Sequence, residues 1–309
     1  MKKLLDYPIG TPGKKWGAAE KVAWRAQQQI KRSYKDEVHS EFDTVAEHFE
    51  LIQYGALSYA PNDYPLFLFK SKLWQEERPT VLVTGGVHGY ETSGVHGAIR
   101  FAKTVEANLL SQFNFIIAPC VSPWGYETIN RWNPNAMDPN RSFYEGSTAE
   151  ESTALMAVIS SLDLEFIAHI DLHETTDTDN SEFRPALLAR DAIQDKYTDI
   201  PDGFYLVGDS TKPQDAFQKA IIEKVQQVTH IAPADENQEI IGSPITQFGV
   251  INYAARELGL CMGLTDAAYV TTTEVYPDSP RVDGENCINA QVAVINAALE
   301  YLMKFVLKK

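Results

Sequence analysis

The run Thr80 to Thr84 constrains this chain more than any other stretch: it is continuously apolar or β-branched, follows Pro79, and stops at Gly85-Gly86. It reads as a strand buried on both faces, which is characteristic of a parallel sheet covered by helices. The stretch from Glu91 to about Leu110 then reads as a helix, and Phe113 to Ala118 as a second strand. Strand, helix, strand in that order argues for an α/β sheet with crossover connections. Helical pattern recurs over Ala149 to Ser161, and further strands are predicted at Glu165 to Leu172, Phe204 to Val207 and Tyr269 to Val275. Strand-like runs also lie at Phe49 to Tyr54 and Leu66 to Lys70, with a polar helix predicted before them over Ala18 to Lys35 and an amphipathic one over Ile288 to Leu307. The segment Ser122 to Glu145 is rich in Asn, Pro, Trp and Arg and has no sustained period. A loop that long inside a folded domain is usually functional, so it is expected to bind substrate.

The 309 residues suit one large α/β domain or two small ones. The reading is one catalytic domain over residues 49–309, with residues 1–48 a helical and extended segment packed upon it. Hydrophobic residues at 44% and charged residues at 22% match an ordinary globular mixture, so a sizeable core is available. The net charge of -15 is spread along the chain, which disfavours nucleic acid and anionic membrane as partners. The apolar start ends at Leu5 before Asp6 and Pro8, too soon for a signal-peptide core, and no long uncharged apolar run exists for a membrane span. Cys120, Cys261 and Cys287 are widely spaced and form no CxxC pair, so a disulfide framework and a cysteine zinc site are both unexpected. A soluble cytoplasmic protein with buried thiols is the expectation.

Chemistry gathers at two strand ends. In Gly85-Gly86-Val87-His88-Gly89-Tyr90-Glu91 a buried strand gives way to a helix, which is where α/β sheets place ligands. His88 and Glu91 are three apart, so in a helical first turn they fall on one side and can meet one ion. In Phe166 to Glu174 an apolar strand gains polar groups towards its end; alternation puts His169, Asp171 and His173 on one face. His173 is the one expected to reach the crevice, while His169, deeper in the strand, reads as a core histidine satisfied by backbone partners. Two histidines and one glutamate leave a fourth position open, the arrangement of catalytic rather than structural zinc. With water activated by the metal, hydrolysis follows. There is no HExxH helix, so a thermolysin-like layout is not expected.

Four separated motifs resemble the zinc carboxypeptidases related to carboxypeptidases A and B, a clan that also holds the aspartoacylase and succinylglutamate desuccinylase deacylases. They are HGYE at 88–91, SPWG at 122–125 leading through Arg131 to DPNRSF at 138–143, DLHE at 171–174, and TTTEV at 271–275. The resemblance runs in the family's order over about two thirds of the chain. It implies a three-layer α/β/α fold with a mixed, mostly parallel sheet, and one zinc ion held by His88, Glu91 and His173. Asn140 and Arg141 resemble the pair that grips a substrate's terminal carboxylate, which a planar guanidinium can hold through two parallel hydrogen bonds. Arg131 resembles the arginine that stabilises the oxyanion. Asp138 resembles the carboxylate that accepts the first zinc histidine's other N–H. Glu274, in a β-branched strand, resembles the general base that moves a proton from water to the leaving amine.

SPWG departs from the family's more usual NPDG. The mobile tyrosine of carboxypeptidases A and B has no clear counterpart, although Tyr253 and Tyr269 lie in the right stretch, and the residues of the specificity pocket are not assignable from sequence. The implied function is a metallocarboxypeptidase acting on small peptides. The first alternative is an N-acyl-amino-acid deacylase, which the HETT run at 173–176 resembles more closely, while the nine-residue separation of Arg131 and Asn140 resembles the peptidases. The second is a carboxylate-binding protein without catalysis, disfavoured because every expected position is occupied.

Overall fold

Residues 7–194 and 199–307 are described in the computed structural model; the start of the chain as far as Leu5 lies outside them. Their strands are β1 (Phe49–Ala56), β2 (Pro65–Ser71), β3 (Thr80–Gly85), β4 (Asn114–Ala118), β5 (Phe166–Glu174), β6 (Tyr205–Asp209), β7 (Glu239–Ile240), β8 (Ser243–Gln247), β9 (Val250–Tyr253) and β10 (Tyr269–Val275). They form one sheet in the order β1-β2-β4-β3-β5-β10-β6-β9-β8-β7. The central block β4-β3-β5-β10 is parallel, as is the β6–β9 pair, and antiparallel strands complete the mixed sheet.

The helices are α1 (Ala18–Ala26), α2 (Tyr34–Glu37), α3 (Thr92–Thr104), α4 (Ala107–Gln112), α5 (Pro123–Thr128), α6 (Glu150–Ser161), α7 (Arg184–Asp191), α8 (Asp215–Val225) and α9 (Gly284–Phe305). Alternation along β3 shows why helices cover both faces. Val81 and Val83 join one core with Ile99 of α3, Phe217 of α8 and Val294 of α9, whereas Leu82 points the other way, to Leu155 and Ile159 of α6. Each fully buried aliphatic side chain contributes about 1.5–3 kcal/mol, so a strand apolar on both faces is stabilised only when both are covered. No described helix is long and apolar enough to cross a membrane. The three cysteines are buried and unpaired.

The structure departs from sequence expectation where long-range contacts override local propensity. The helix expected to reach Lys35 ends at Ala26; beyond it the Lys31 N–H donates to the Glu127 carbonyl and the Arg32 side chain is drawn inwards to bond the carbonyls of Tyr126, Gly89 and Tyr90. The helix expected over 91–110 breaks at Val105 into α3 and α4. Residues 122–145, expected to be irregular, contain α5 and a 3-10 turn at Pro139–Arg141. Trp16 and Trp24 pack against Trp132 with ring centroids 6.2 and 5.5 Å apart, and Trp24 also meets Trp124.

Candidate metal centre and active site

The carboxyl ends of three adjacent parallel strands, β3, β5 and β10, meet at one place. Gly86, at φ +59°, turns the chain out of β3, and the following loop packs so closely that a Cβ on Gly89 would lie 2.1 Å from the Ser122 carbonyl oxygen. His88 and Glu91 lie in a turn closed by the Glu91 N–H donating to the His88 carbonyl at 3.1 Å. The expected helical first turn is therefore a turn ahead of the helix, since α3 begins at Thr92 with Glu91 as its N-cap. His173 is the last but one residue of β5, and in the β5–β10 register it stands directly opposite Glu274. Gln291, buried on α9, fixes that strand end by donating to the His173 carbonyl at 2.9 Å.

His88, Glu91 and His173 each offer a ligand atom, all within 4.8 Å of one another. The two Glu91 oxygens divide between them: Oε1 lies 2.8 Å from His88 Nδ1 and Oε2 2.7 Å from His173 Nδ1. On the far sides, His88 Nε2 is 2.8 Å from Asp138 Oδ1, and His173 Nε2 is 3.0 Å from Asp171 Oδ2. Carboxylates that accept the Nε2–H of each ring fix the tautomer and leave Nδ1 to face the centre, the outer arrangement a histidine-bound metal requires. Burial alone would lower His173, but Asp171 and Glu91 outweigh it and hold it well above the usual histidine range. Burial would raise Glu91, yet His173 and His88 keep it below the usual carboxylate range. A dry site with two histidines among three carboxylates favours a cation, and its donor set fits zinc.

Arg131, Asp138, Asn140, Arg141 and Glu274 line a cavity of about 370 Å³ together with His88 and Glu91. Arg131 donates from Nε to Asp138 at 3.0 Å and from Nη1 to Asp179 at 3.1 Å. Asn140 is buried; its Oδ1 accepts from the Cys261 N–H at 2.7 Å, and its Nδ2 lies 3.3 Å from His173 Nε2. Arg141 donates to the Asn140 carbonyl and reaches into the cavity. Glu274 is raised to about 7 by burial, against the pull of His173. Its Oε2 accepts from the Thr175 hydroxyl at 2.7 Å, and that hydroxyl is 2.8 Å from the Tyr205 hydroxyl. Tyr253 lines the cavity, whereas Tyr269 packs against Phe217 and Tyr301.

Several contributors were not singled out in the sequence. Asp171, on the same strand face as His173, was visible in the alternation, but its bond to the ring was not. Glu174 accepts from the Ser93 N–H at the start of α3 at 2.6 Å, and burial raises it to about 7. Arg184 and Arg190 enter the cavity from α7. His169 proves to be a core residue without the expected backbone partner: its Nε2 is 2.9 Å from the Thr84 hydroxyl, which donates to Asp171 at 2.6 Å, and its Nδ1 is buried without a partner.

Residues 56–177 match the zinc carboxypeptidase family, a span that contains His88, Glu91, Arg131, Asn140, Arg141 and His173. No curated protein sequence matches the chain. Among solved structures, a candidate metallopeptidase from Shewanella amazonensis SB2B superimposes with a TM-score of 0.66 at 18% identity, over 90% of this chain and 98% of that one. A metallo-carboxypeptidase from Burkholderia cenocepacia gives 0.61 at 16% identity, over 89% and 70%. Carboxypeptidase A from Helicoverpa armigera gives 0.56 at 13% identity, over 92% and 79%. In sequence over residues 56–177, and in fold along most of its length, the chain is similar to the zinc carboxypeptidases.

Proposed function

We propose that this chain is a zinc-dependent metallocarboxypeptidase that hydrolyses the amide next to a terminal carboxylate in small peptides. The observation that carries the reading is the pairing of Glu274 with His173 across β5 and β10, which sets a carboxylate beside the His88–Glu91–His173 cluster in an arginine-lined cavity. A zinc ion held by those three residues would polarise the scissile carbonyl and make water acidic enough to react near neutral pH.

The chain's own residues do the rest. Glu274 takes a proton from the attacking water and passes it to the leaving amine, a role suited to a carboxyl poised near 7. Arg131, oriented by Asp138 and Asp179, presents fixed positive charge where the oxyanion develops. Arg141 and Asn140 hold the terminal carboxylate. Asp138 and Asp171 keep the two histidine rings in one tautomer.

The test is release of terminal amino acids from a mixed peptide library by the wild type and by Glu274→Gln, with N-acyl amino acids assayed in parallel. We expect release by the wild type and a fall in kcat on the order of 10²–10⁴-fold in the variant, with KM little changed. Turnover of N-acyl amino acids alone would establish the deacylase reading. Equal activity in Glu274→Gln would remove Glu274 from the mechanism.

A further inference from the structure

Further back along β5 from His173, on the same strand face, His169 and Asp171 join Cys261 in a second cluster of metal-binding side chains, with ligand atoms all within 4.8 Å of one another. All three are fully buried. The Thr84 hydroxyl sits among them. Thr84 is itself fully buried and stands directly opposite Asp171 in the β3–β5 register, so strand pairing brings its side chain to that carboxylate. The hydroxyl donates to Asp171 Oδ1 at 2.6 Å, lies 2.9 Å from His169 Nε2, and accepts from the Cys261 thiol at 3.6 Å. Cys261 is fixed there by its N–H, which donates to Asn140 Oδ1 at 2.7 Å.

The protons divide in only one way. A hydroxyl has one proton and two lone pairs. Thr84 gives its proton to Asp171, so towards His169 it can only accept, and the His169 ring must carry its proton on Nε2. Burial pushes His169 down to about 4, so the ring is neutral near neutral pH, and its partnerless Nδ1 is a bare acceptor rather than a stranded N–H. Burial also holds the Cys261 thiol well above its usual range, so it keeps the proton it donates. The hydroxyl is then fully used, and it ties the cluster together by hydrogen bonds instead of leaving its facing atoms open to a second cation. We propose that Thr84 is a positioning residue of the metal centre: by holding Asp171 Oδ1 it keeps Oδ2 on His173 Nε2, and so keeps His173 Nδ1 turned towards the ion shared with His88 and Glu91. This rests on the reading of His88, Glu91 and His173 as metal ligands. Without the hydroxyl, Asp171 loses a donor in a site closed to water, and its hold on the ring loosens.

Chelator competition gives the zinc affinity of the wild type, Thr84→Val, Thr84→Ser, Asp171→Asn and the double variant of Thr84→Val with Asp171→Asn, the folding of each being checked by circular dichroism. We expect Thr84→Val to bind zinc about 10- to 100-fold more weakly, the usual effect of losing a partner behind a metal-bound histidine. Thr84→Ser restores the hydroxyl and should bind close to the wild type. In the Asp171→Asn background, Thr84→Val should bring no further loss, because Thr84 acts through that carboxylate. Wild-type affinity in Thr84→Val, or an equal loss with and without the Asp171 carboxylate, would overturn the assignment and leave the metal centre intact. A wild type that binds no zinc would overturn both. A second measurement depends on no variant: the ring-nitrogen NMR shifts of the wild type should show His169 as the Nε2–H tautomer. The Nδ1–H tautomer would mean that Thr84 gives its proton to His169 instead of Asp171, and would overturn the proposal.

Discussion

Burial and a single hydroxyl act in opposite directions on the Glu274 carboxyl. Burial raises it to about 7 against the pull of His173, and the Thr175 hydroxyl, donating at 2.7 Å, adds to the stabilisation of the charged form. A base must be deprotonated to act, so kcat falls as pH drops through the Glu274 pKa and is retained above it. A bound divalent cation nearby favours the carboxylate, which puts the midpoint of that acid limb at or below about 7. In Thr175→Val the donor is lost, so the limb moves to higher pH and kcat near neutrality falls about 10-fold, the cost of one hydrogen bond to a charged group. A pH profile of kcat for the two proteins checks this. An unshifted limb with intact folding would mean that Glu274 does not titrate in the step observed.

At the scale of elements, the loop between β3 and α3 is held from outside the sheet. Arg32, between α1 and α2, bonds the carbonyl oxygens of Tyr126, Gly89 and Tyr90 at 2.5, 3.2 and 3.2 Å, and its guanidinium lies 3.9 Å from the Tyr126 ring centroid. Gly89 and Tyr90 are the residues between His88 and Glu91, so an arginine from the amino-terminal segment props the ligand loop. Arg32→Ala leaves three carbonyls without this donor and should destabilise the fold by about 2–3 kcal/mol. Zinc affinity should fall with it, read by chelator competition, because His88 and Glu91 lose their fixed spacing. Unchanged affinity in a destabilised protein would separate the segment from the metal site. Sequence alone could not show this prop. Arg32 lies in a polar stretch, and its distant carbonyl partners, together with the Lys31 N–H donating to the Glu127 carbonyl, hold the chain beyond α1 out of helix. By contrast β3, β5 and β10 were legible: β3 from a continuous run that is apolar or β-branched, β5 from an apolar run that gains polar groups towards its end, and β10 from a β-branched run whose bounds it keeps.

Across the whole molecule, the central strands and their ends were legible from local pattern, and Arg131, Asp138, Asn140, Arg141 and the role of Glu274 from the motif resemblance; what was missed lies on α7 and in the short strands at one edge of the sheet. His88, Glu91, His173 and Glu274 follow from strand ends, where polar residues interrupt apolar runs. Arg184 and Arg190 lie on a short helix after the site motifs, and in sequence they look like solvated arginines. They join the cavity only because α7 folds over the carboxyl edge of the sheet. Strands β7 to β9 were missed for a related reason: they are short and broken by turns at Gly242 and Gly249, so no period-2 pattern has room to develop. The account as a whole depends on one cation-binding cluster formed by residues from two strand ends. Its most direct test is the metal content of the purified protein after zinc reconstitution, for the wild type and His173→Ala, with folding of both checked by circular dichroism. The account predicts about one zinc per chain in the wild type and a marked loss in the folded variant. A wild type without zinc, or a variant that keeps a full equivalent, would contradict it.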